Sequence, residues 1–394
     1  MKRAIFIIIA LLLFMSFTQA EVLANHPEPP QLIGETCILM DVNTGQILHE
    51  KDAENKMDPA STTKIMTAIL ALEKGSMEDV IAVGAEPPRV EGSKINLREG
   101  EKLTLEQMLQ GLLLNSGNDA AIAIAEYIGG SVPAFAKLMN QKAKEIGAQD
   151  TNYVNPHGLT DESHKTTAYD LAIISRYALL NLPEFRDIVS SKYKEIHEPN
   201  NKNRQLENTN RLLWSFEGAD GVKTGYTTAA GRNLVASATR DGWQLLAVVL
   251  KSSWDDIWND AASLLNYGFD NFQPVELTEK EEVIRTEKVR YGSSDIKIKT
   301  LQDFSIILPK DVPITKKIIL EENLTAPIKS GTILGKLEFY QKGRTIGCVD
   351  LVAGEDVKRR IHTYWWFWLC NITLTLLISN SILRKRTSQS KPAS

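Results

Sequence analysis

The chain reads as an α+β protein: a mixed sheet carrying a helical subdomain, then a small all-β domain and a C-terminal transmembrane helix. Three observations carry that reading. Strand-like runs bracket a block of helical periodicity between Thr36 and Phe269. Short alternating runs separated by turn residues take over after Pro274. Thr363 to Leu383 holds no charged residue at all. One strand pair, a helical block, then strands and a closing helix is not a βαβ repeat. At 394 residues, two globular units plus appendages are expected. The hydrophobic content of 43% supplies ample core material, and the net charge of −4 gives no electrostatic case for nucleic acid.

Lys2 and Arg3 precede an apolar run, Ala4 to Phe17, with small residues at Ala20 and Ala24. That is the pattern of a cleaved export signal. The run falls short of the ~20 residues an uncleaved spanning anchor needs. Thr36–Asp41 and Gln46–His49 flank Val42-Asn43-Thr44-Gly45, a hairpin signature. Pro59 opens a helix that starts near Ser61 and runs on an uninterrupted apolar stripe. Thr104-Leu105-Glu106-Gln107 is a capping box for a helix reaching Leu114. After Asn115-Ser116-Gly117-Asn118 another helix runs from Asp119 to Tyr127 and stops at Gly129-Gly130. Helical spacing returns over 134–146, 167–180 and 254–269. Strands are expected at Gly221–Gly225, Asn233–Ala238 and Gln244–Leu250, the last two joined by a turn at Gly242. In the β domain the runs are Val283–Arg285, Ile296–Ile298, Phe304–Leu308 and Gly335–Tyr340. Between Thr363 and Leu383 the polar residues do not gather on one helical face. A Tyr-Trp cluster marks one end, which fits a span and not an interfacial helix.

Three short motifs carry the chemistry. They are Ser61-Thr62-Thr63-Lys64, Ser116-Gly117-Asn118 and Lys223-Thr224-Gly225. A serine hydroxyl is a poor nucleophile without a neighbouring base. Ser61 and Lys64, three apart on a helix, share a face, and burial near a second cation such as Lys223 lowers a lysine's pKa enough for base work. Backbone N–H groups at a helix start can stabilise an oxyanion. Ser116 and Asn118 fall in a tight interhelical turn, where these residue types serve either as helix caps or as a proton relay and a holder of the substrate amide. Lys223 and Thr224 would face an anionic group from a strand on which Gly225 allows close approach. Competing matches exist at Ser191…Lys194, Ser388…Lys391 and Lys329-Ser330-Gly331, but none has this order and context. The cysteines, Cys37, Cys348 and Cys370, are sparse, and neither they nor the histidines show metal-site spacing, so no metal or cofactor is implied.

Pro59–Lys64, Ser116–Asn118 and Asp220–Thr227, with Asn155–Leu159 and Thr167–Ala172, resemble the signatures of low-molecular-mass penicillin-binding proteins of the serine D-alanyl-D-alanine carboxypeptidase type. The resemblance covers about residues 32 to 272. It implies the penicillin-binding, β-lactamase-like transpeptidase fold and removal of the terminal D-alanine from peptidoglycan stem pentapeptides through an acyl-serine. It implies Ser61 as nucleophile, Lys64 as base, and Ser116 and Asn118 in relay and substrate binding. Lys223, Thr224 and Gly225 take the substrate end, the backbone N–H groups of Ser61 and Tyr226 form the oxyanion hole, and β-lactams acylate Ser61. The expected layout is a signal peptide over 1–24, a catalytic domain over 25–273, a β domain over 274–358, a transmembrane helix over 362–383 and a basic cytoplasmic tail over 384–394, with the catalytic domain outside the cell.

Two departures from the family stand out. An arginine past the third motif often helps to hold the carboxylate, and here only Lys251 is available. The usual tail is amphipathic, whereas this one reads as spanning. His157 reads as structural. A serine β-lactamase is disfavoured because no E-x-x-L-N string lies between the second and third motifs, and a non-catalytic wall-binding protein would have lost Ser61 or Lys64. An endopeptidase acting on D-alanyl cross-links shares the motifs and stays open.

Overall fold

The structure, a computed structural model, describes residues 28–197, 203–310 and 312–389. The expected signal segment lies outside them. The chain forms two compact units that meet in sequence at Gln273 and Pro274.

The first unit begins with a hairpin, β1 (Thr36–Asp41) and β2 (Ile47–Lys51). A 3₁₀ turn at Ala60–Thr63 leads into α1 (Lys64–Lys74). A small ribbon follows, β3 (Val80–Ala82) with β4 (Lys102–Thr104), and then α2 (Leu105–Leu113). The predicted capping box forms in full, with Thr104 and Gln107 each bonding the other's backbone N–H. Next come α3 (Asn118–Gly129), α4 (Val132–Ile146), α5 (Ala168–Asn181) and α6 (Pro183–Val189). A second ribbon, β5 (Tyr193–Ile196) with β6 (Arg204–Glu207), precedes the short α7 (Leu212–Ser215). The meander β7 (Ala219–Thr227), β8 (Gly231–Arg240) and β9 (Trp243–Ser252) closes against α8 (Asp256–Asn271).

The main sheet has the order β2-β1-β9-β8-β7. Every pairing in it is antiparallel, where a mixed sheet was expected. The reason is topological. The β7–β8–β9 turns are tight, with Asp241 and Gly242 both at positive φ between β8 and β9, and such turns make neighbours antiparallel. The helical block then links the two opposite edges, β2 and β7, and creates no parallel crossover.

β9 is a continuous apolar run because both its faces are covered. Side chains alternate across a strand. Leu246, Val248 and Leu250 join the main core with Ile65 and Ile69 of α1, while Leu245 lies against Gly268 of α8. In α1 every residue from Lys64 to Ala71 is buried, and the helix packs against α2, α3, α4 and α5. A lysine at the first position of such a helix is therefore carried into the core.

The second unit pairs β10 (Phe272–Thr278) with β13 (Phe304–Pro309) beside a five-stranded sheet. That sheet has the order β11 (Val283–Glu287), β12 (Ile296–Thr300), β16 (Arg344–Ala353), β15 (Ile333–Gln341), β14 (Ile314–Leu320). Its core centres on Phe339, Ile296, Ile298 and Leu351, all fully buried. The last helix, α9 (Trp365–Gln389), contains a 19-residue apolar stretch, Trp365–Leu383, that none of the other described residues covers. At 1.5 Å per residue that stretch is about 28 Å long, close to the ~30 Å hydrocarbon core of a bilayer.

Candidate active site

Ser61 sits in the 3₁₀ turn and Lys64 at the first position of the α-helix, where sequence periodicity placed both on one helix. The difference favours their contact, because side chains three apart eclipse one another in a 3₁₀ turn. The turn is held in place from several sides. Ala60 adopts a left-handed φ of 50°. Thr62 Oγ1 donates to Pro59 O at 2.8 Å. Asn233 Nδ2, from β8, donates to Asp58 O at 2.8 Å and Pro59 O at 3.0 Å. Two glycines admit the turn. A side chain at Gly225 of β7 would stand 3.0 Å from Pro59 O and 3.1 Å from Ser61 N. Gly225 therefore serves close packing of the strand on the Ser61 turn. Gly158, at φ 88°, lies so close that a methyl group would overlap the Ala60 carbonyl.

Lys64 is fully buried. Its Nζ lies 2.8 Å from Ser61 Oγ, 2.7 Å from Asn118 Oδ1 and 2.8 Å from the His157 carbonyl oxygen. No carboxylate reaches it among the described residues. Asp119 accepts from the N–H groups of Ile95 at 3.1 Å and Leu97 at 3.0 Å, so it is committed to the backbone. Burial, then the charge of Lys223, hold the Lys64 amine well below the ordinary lysine range, against a smaller opposing pull from Asp119. The partners agree with a neutral amine. Asn118 Oδ1 and His157 O can only accept, so they take the two N–H groups of an unprotonated amine. The lone pair is left for the one neighbour that can donate, the Ser61 hydroxyl.

The second motif falls, as the sequence implies, in the turn between α2 and α3. Ser116 takes a left-handed φ of 59°. It is buried, and its hydroxyl makes no hydrogen bond among the described residues. Asn118 is anchored by Nδ2 donating to Glu91 O at 2.7 Å. In the third motif Lys223 is buried, its Nζ 3.2 Å from Thr224 O, and burial pushes its pKa down to about 7. Thr224 Oγ1 lies 2.7 Å from Thr209 Oγ1. Ser61, Lys64 and Asn118 thus form one hydrogen-bonded group, and Gly225 brings the third motif against it. Lys251 does not join them: its ammonium pairs with Glu35 at 2.7 Å on the surface. Of the competing motifs, Ser191 Oγ donates to Asp187 O, and Ser330 lies in a turn of the second unit. Ser388 to Lys391 runs out of the described residues.

Several contributors were not legible in the sequence. His157 enters through its backbone carbonyl, presented by a turn in which Asn155 Oδ1 accepts from Gly158 N at 2.7 Å. Its ring is a buried neutral imidazole, with Nδ1 accepting from Leu159 N and a pKa driven down to about 3 by burial and by Lys64. His164 accepts from Val154 N at Nδ1, so the proton is on Nε2, which lies 2.9 Å from Thr63 Oγ1. Burial lowers its pKa to about 4. Asn208-Thr209-Asn210 laces two motifs together. Thr209 N donates to Leu114 O at 3.2 Å, and Asn210 Nδ2 donates to Gly221 O at 2.6 Å. The only sequence signal there was a cluster of cap-forming residues before a strand.

Comparison with known proteins follows the same division of the chain. Residues 23–253 match the family model of peptidase S11, D-alanyl-D-alanine carboxypeptidase, and residues 272–359 match the C-terminal domain of penicillin-binding protein 5. The chain is 35% identical to the D-alanyl-D-alanine carboxypeptidase DacF of Bacillus subtilis, over 82% of this chain and 86% of that protein. It is 34% identical to DacD of Escherichia coli, over 91% and 96%. The crystal structure of penicillin binding protein 5 from Haemophilus influenzae superposes with a TM-score of 0.73 at 32% identity, covering 85% of this chain and all of that one.

Gly158→Ala is expected to displace the Ala60 carbonyl and slow acylation of Ser61 by about tenfold or more, read as the rate of labelling by a fluorescent penicillin. His157 and His164 are neutral when folded and take up protons on unfolding, so their contribution to stability is present above pH 6.5. It is lost as pH falls toward about 4 for His164 and about 3 for His157. Each adds a slope of up to about 1.4 kcal/mol per pH unit. Urea midpoints at pH 7 and pH 5 should show the loss, and His164→Asn should make it shallower.

Proposed function

Because the chain belongs to the serine-type D-alanyl-D-alanine carboxypeptidases of peptidase family S11, we propose that Ser61 is the nucleophile of that reaction and Lys64 its general base. The protein is a D-alanyl-D-alanine carboxypeptidase of the low-molecular-mass penicillin-binding class. The observation that supports the assignment of roles is the set of oxygens around Lys64 Nζ, two of which cannot donate.

On this reading Lys64 takes the Ser61 proton as Oγ attacks the carbonyl of the penultimate D-alanine. The oxyanion is received by the backbone N–H groups of Ser61 and Tyr226. The C–N bond then breaks and the departing D-alanine leaves with the proton, relayed through Ser116. Water enters, Lys64 accepts its proton, and the acyl-serine opens to a carboxylate and a restored Ser61. The terminal carboxylate rests on Lys223 and Thr224, beside the close-packed Gly225, and Asn118 orients the substrate amide. The substrate is the stem pentapeptide of peptidoglycan. β-Lactams acylate the same hydroxyl. The segment 1–24 directs export, α9 anchors the protein with residues 25–358 outside the membrane, and the basic tail 384–394 remains in the cytoplasm.

Ser61→Ala is expected to abolish labelling by fluorescent penicillin and to cut release of D-alanine about 10³-fold or more. The pH profile gives a sharper check. Lys64 acts unprotonated, so acylation is lost as pH falls through its pKa. Removing the Lys223 charge raises that pKa, so Lys223→Ala should move the acid limb of the acylation rate to higher pH, besides weakening substrate binding. An unmoved limb would remove Lys64 from the base role. For the anchor, the full chain should resist alkaline extraction from membranes, while a form ending at Asp356 is released. Protease added to intact wall-stripped cells should digest the bulk of the protein.

A further inference from the structure

The β domain is stitched to the segment of chain that leads into α9. Ser293 N donates to Lys358 O at 2.8 Å, and Arg360 N donates to Tyr291 O at 2.9 Å. The turn at Val289–Gly292, closed by Gly292 N donating to Val289 O at 3.0 Å, therefore lies beside the last residues before the apolar stretch that begins at Trp365. Tyr291, at the corner of that turn, takes a left-handed φ of 62° and keeps its ring partly open to solvent. A bulky side chain is uncommon in that conformation, and a strained residue held at a surface points to a role for its side chain.

The Tyr291 ring gathers two guanidinium groups from distant parts of the chain. Arg290 lies 4.8 Å from its centre and Arg359 lies 4.9 Å from it, both within cation–π range. Arg359 also lies 4.8 Å from the centre of the Tyr364 ring, immediately before the apolar stretch. Two bonds to Thr363 fix it, Nε donating to Oγ1 at 3.1 Å and Nη2 to the carbonyl oxygen at 3.0 Å. Its remaining N–H groups, and all those of the Arg290 guanidinium, have no acceptor among the described residues. The carboxylates nearby in sequence are committed elsewhere: Glu287 pairs with Arg285, and Asp356 accepts from Ser330 N at 2.8 Å. The segments Lys288–Tyr291 and Lys358–Arg360 together carry five cations and no carboxylate.

We propose that Arg290 and Arg359, gathered at Tyr291, take the phosphate of an anionic phospholipid in the leaflet that α9 enters, with Lys358 and Arg360 adding attraction. The inference rests on α9 spanning a bilayer, as proposed above, and adds a lipid-binding site on the β domain itself. Depth supports it. The polar layer on each side of the hydrocarbon core is roughly 5–7 Å thick, and Tyr364, Trp365 and Trp366, with the first and last rings 5.8 Å apart, are the residue types that settle there. Arg359, stacked on Tyr364, then stands at the level of the phosphates. Cations are ordinarily depleted on the exported side of a span, yet Lys358, Arg359 and Arg360 before the apolar stretch equal Arg384, Lys385 and Arg386 after it. A guanidinium fork matches phosphate oxygens. With no carboxylate in the two segments to meet a choline or ethanolamine cation, a lipid of net negative charge is preferred. The β domain is thus attached at the turn as well as at the span, which stops it from swivelling about α9.

The test reconstitutes the full chain into phosphatidylcholine vesicles. A fraction of the lipid carries brominated acyl chains on either a phosphatidylglycerol or a phosphatidylcholine headgroup. Bromine quenches tryptophan fluorescence on contact. Trp365, Trp366 and Trp368 adjoin the site, while the other four tryptophans lie in the first unit. Brominated phosphatidylglycerol should show an association constant about fivefold above that of brominated phosphatidylcholine, falling toward equality in about 0.5 M salt. Arg290→Gln and Tyr291→Ala should each bring the ratio to about twofold or below, with Arg290→Lys between. Unchanged thermal midpoints establish that these surface variants fold. Equal quenching by the two headgroups overturns the inference. So does a ratio that Arg290→Gln and Tyr291→Ala leave intact while Lys358→Gln or Arg360→Gln removes it, because charge flanking the span then suffices. A ratio abolished by millimolar inorganic phosphate assigns the arginines to a free anion and overturns it as well. Quenching by neither brominated lipid counts instead against the span assigned to α9.

Discussion

A lysine sealed in a protein core without a carboxylate is costly in its charged form, and the catalytic unit is organised around that cost. Lys64 sits at the first position of a helix that is buried from end to end of its first two turns. Desolvation disfavours the ammonium, and the acid next to Asn118, Asp119, is turned away to satisfy two backbone N–H groups. What remains around Nζ is three oxygens, only one of which carries a proton to give. Had Asp119 faced the amine, the same burial would have produced an ion pair and a lysine unable to accept a proton.

Long-range contacts keep that arrangement in register. The Ser61 turn is fastened to the sheet by Asn233 and against β7 at Gly225, while Gly158 brings the Asn155–Leu159 turn close enough to present the His157 carbonyl. Thr209 and Asn210 tie the second-motif turn to the third-motif strand. Each tie is a side-chain amide, a backbone N–H or a missing side chain, and none adds a charge near the amine. Rigidity and low polarity are thus achieved together, which a scaffold of salt bridges could not do.

This explains which parts could be read from sequence. The contact between Ser61 and Lys64 is local, three residues apart, and residue type alone reveals it. The capping box at Thr104 and the uncharged run before Arg384 are likewise local patterns of composition. The His157 carbonyl is not legible, because a backbone oxygen has no residue-type signature and its approach depends on a turn ninety-odd positions away in the chain. The wholly antiparallel sheet was missed because strand order depends on where the helical block returns, which periodicity does not encode. The ribbon β5–β6 is not legible because its charged residues, Lys194, Glu195, Arg204 and Glu207, mask a short alternation.

Two lysines in the same site must hold opposite protonation states under the proposed roles, and burial alone cannot tell them apart. Both are fully enclosed, and burial lowers both. The distinction comes from what each meets. Lys64 is also opposed by the charge on Lys223 and is hydrogen-bonded to a hydroxyl that can donate. Burial pushes the Lys223 pKa down to about 7, so an arriving anion acts directly on its charge. Under those roles a substrate carboxylate at Thr224 would stabilise the Lys223 ammonium, and that charge would in turn drive the proton off Lys64. Binding at one end of the peptide would therefore prepare the base at the other. A ligand lacking the carboxylate would leave Lys223 partly neutral and Lys64 a weaker competitor against its own proton. In such a site selectivity for a free peptide terminus arises in the activation of the nucleophile as well as in affinity.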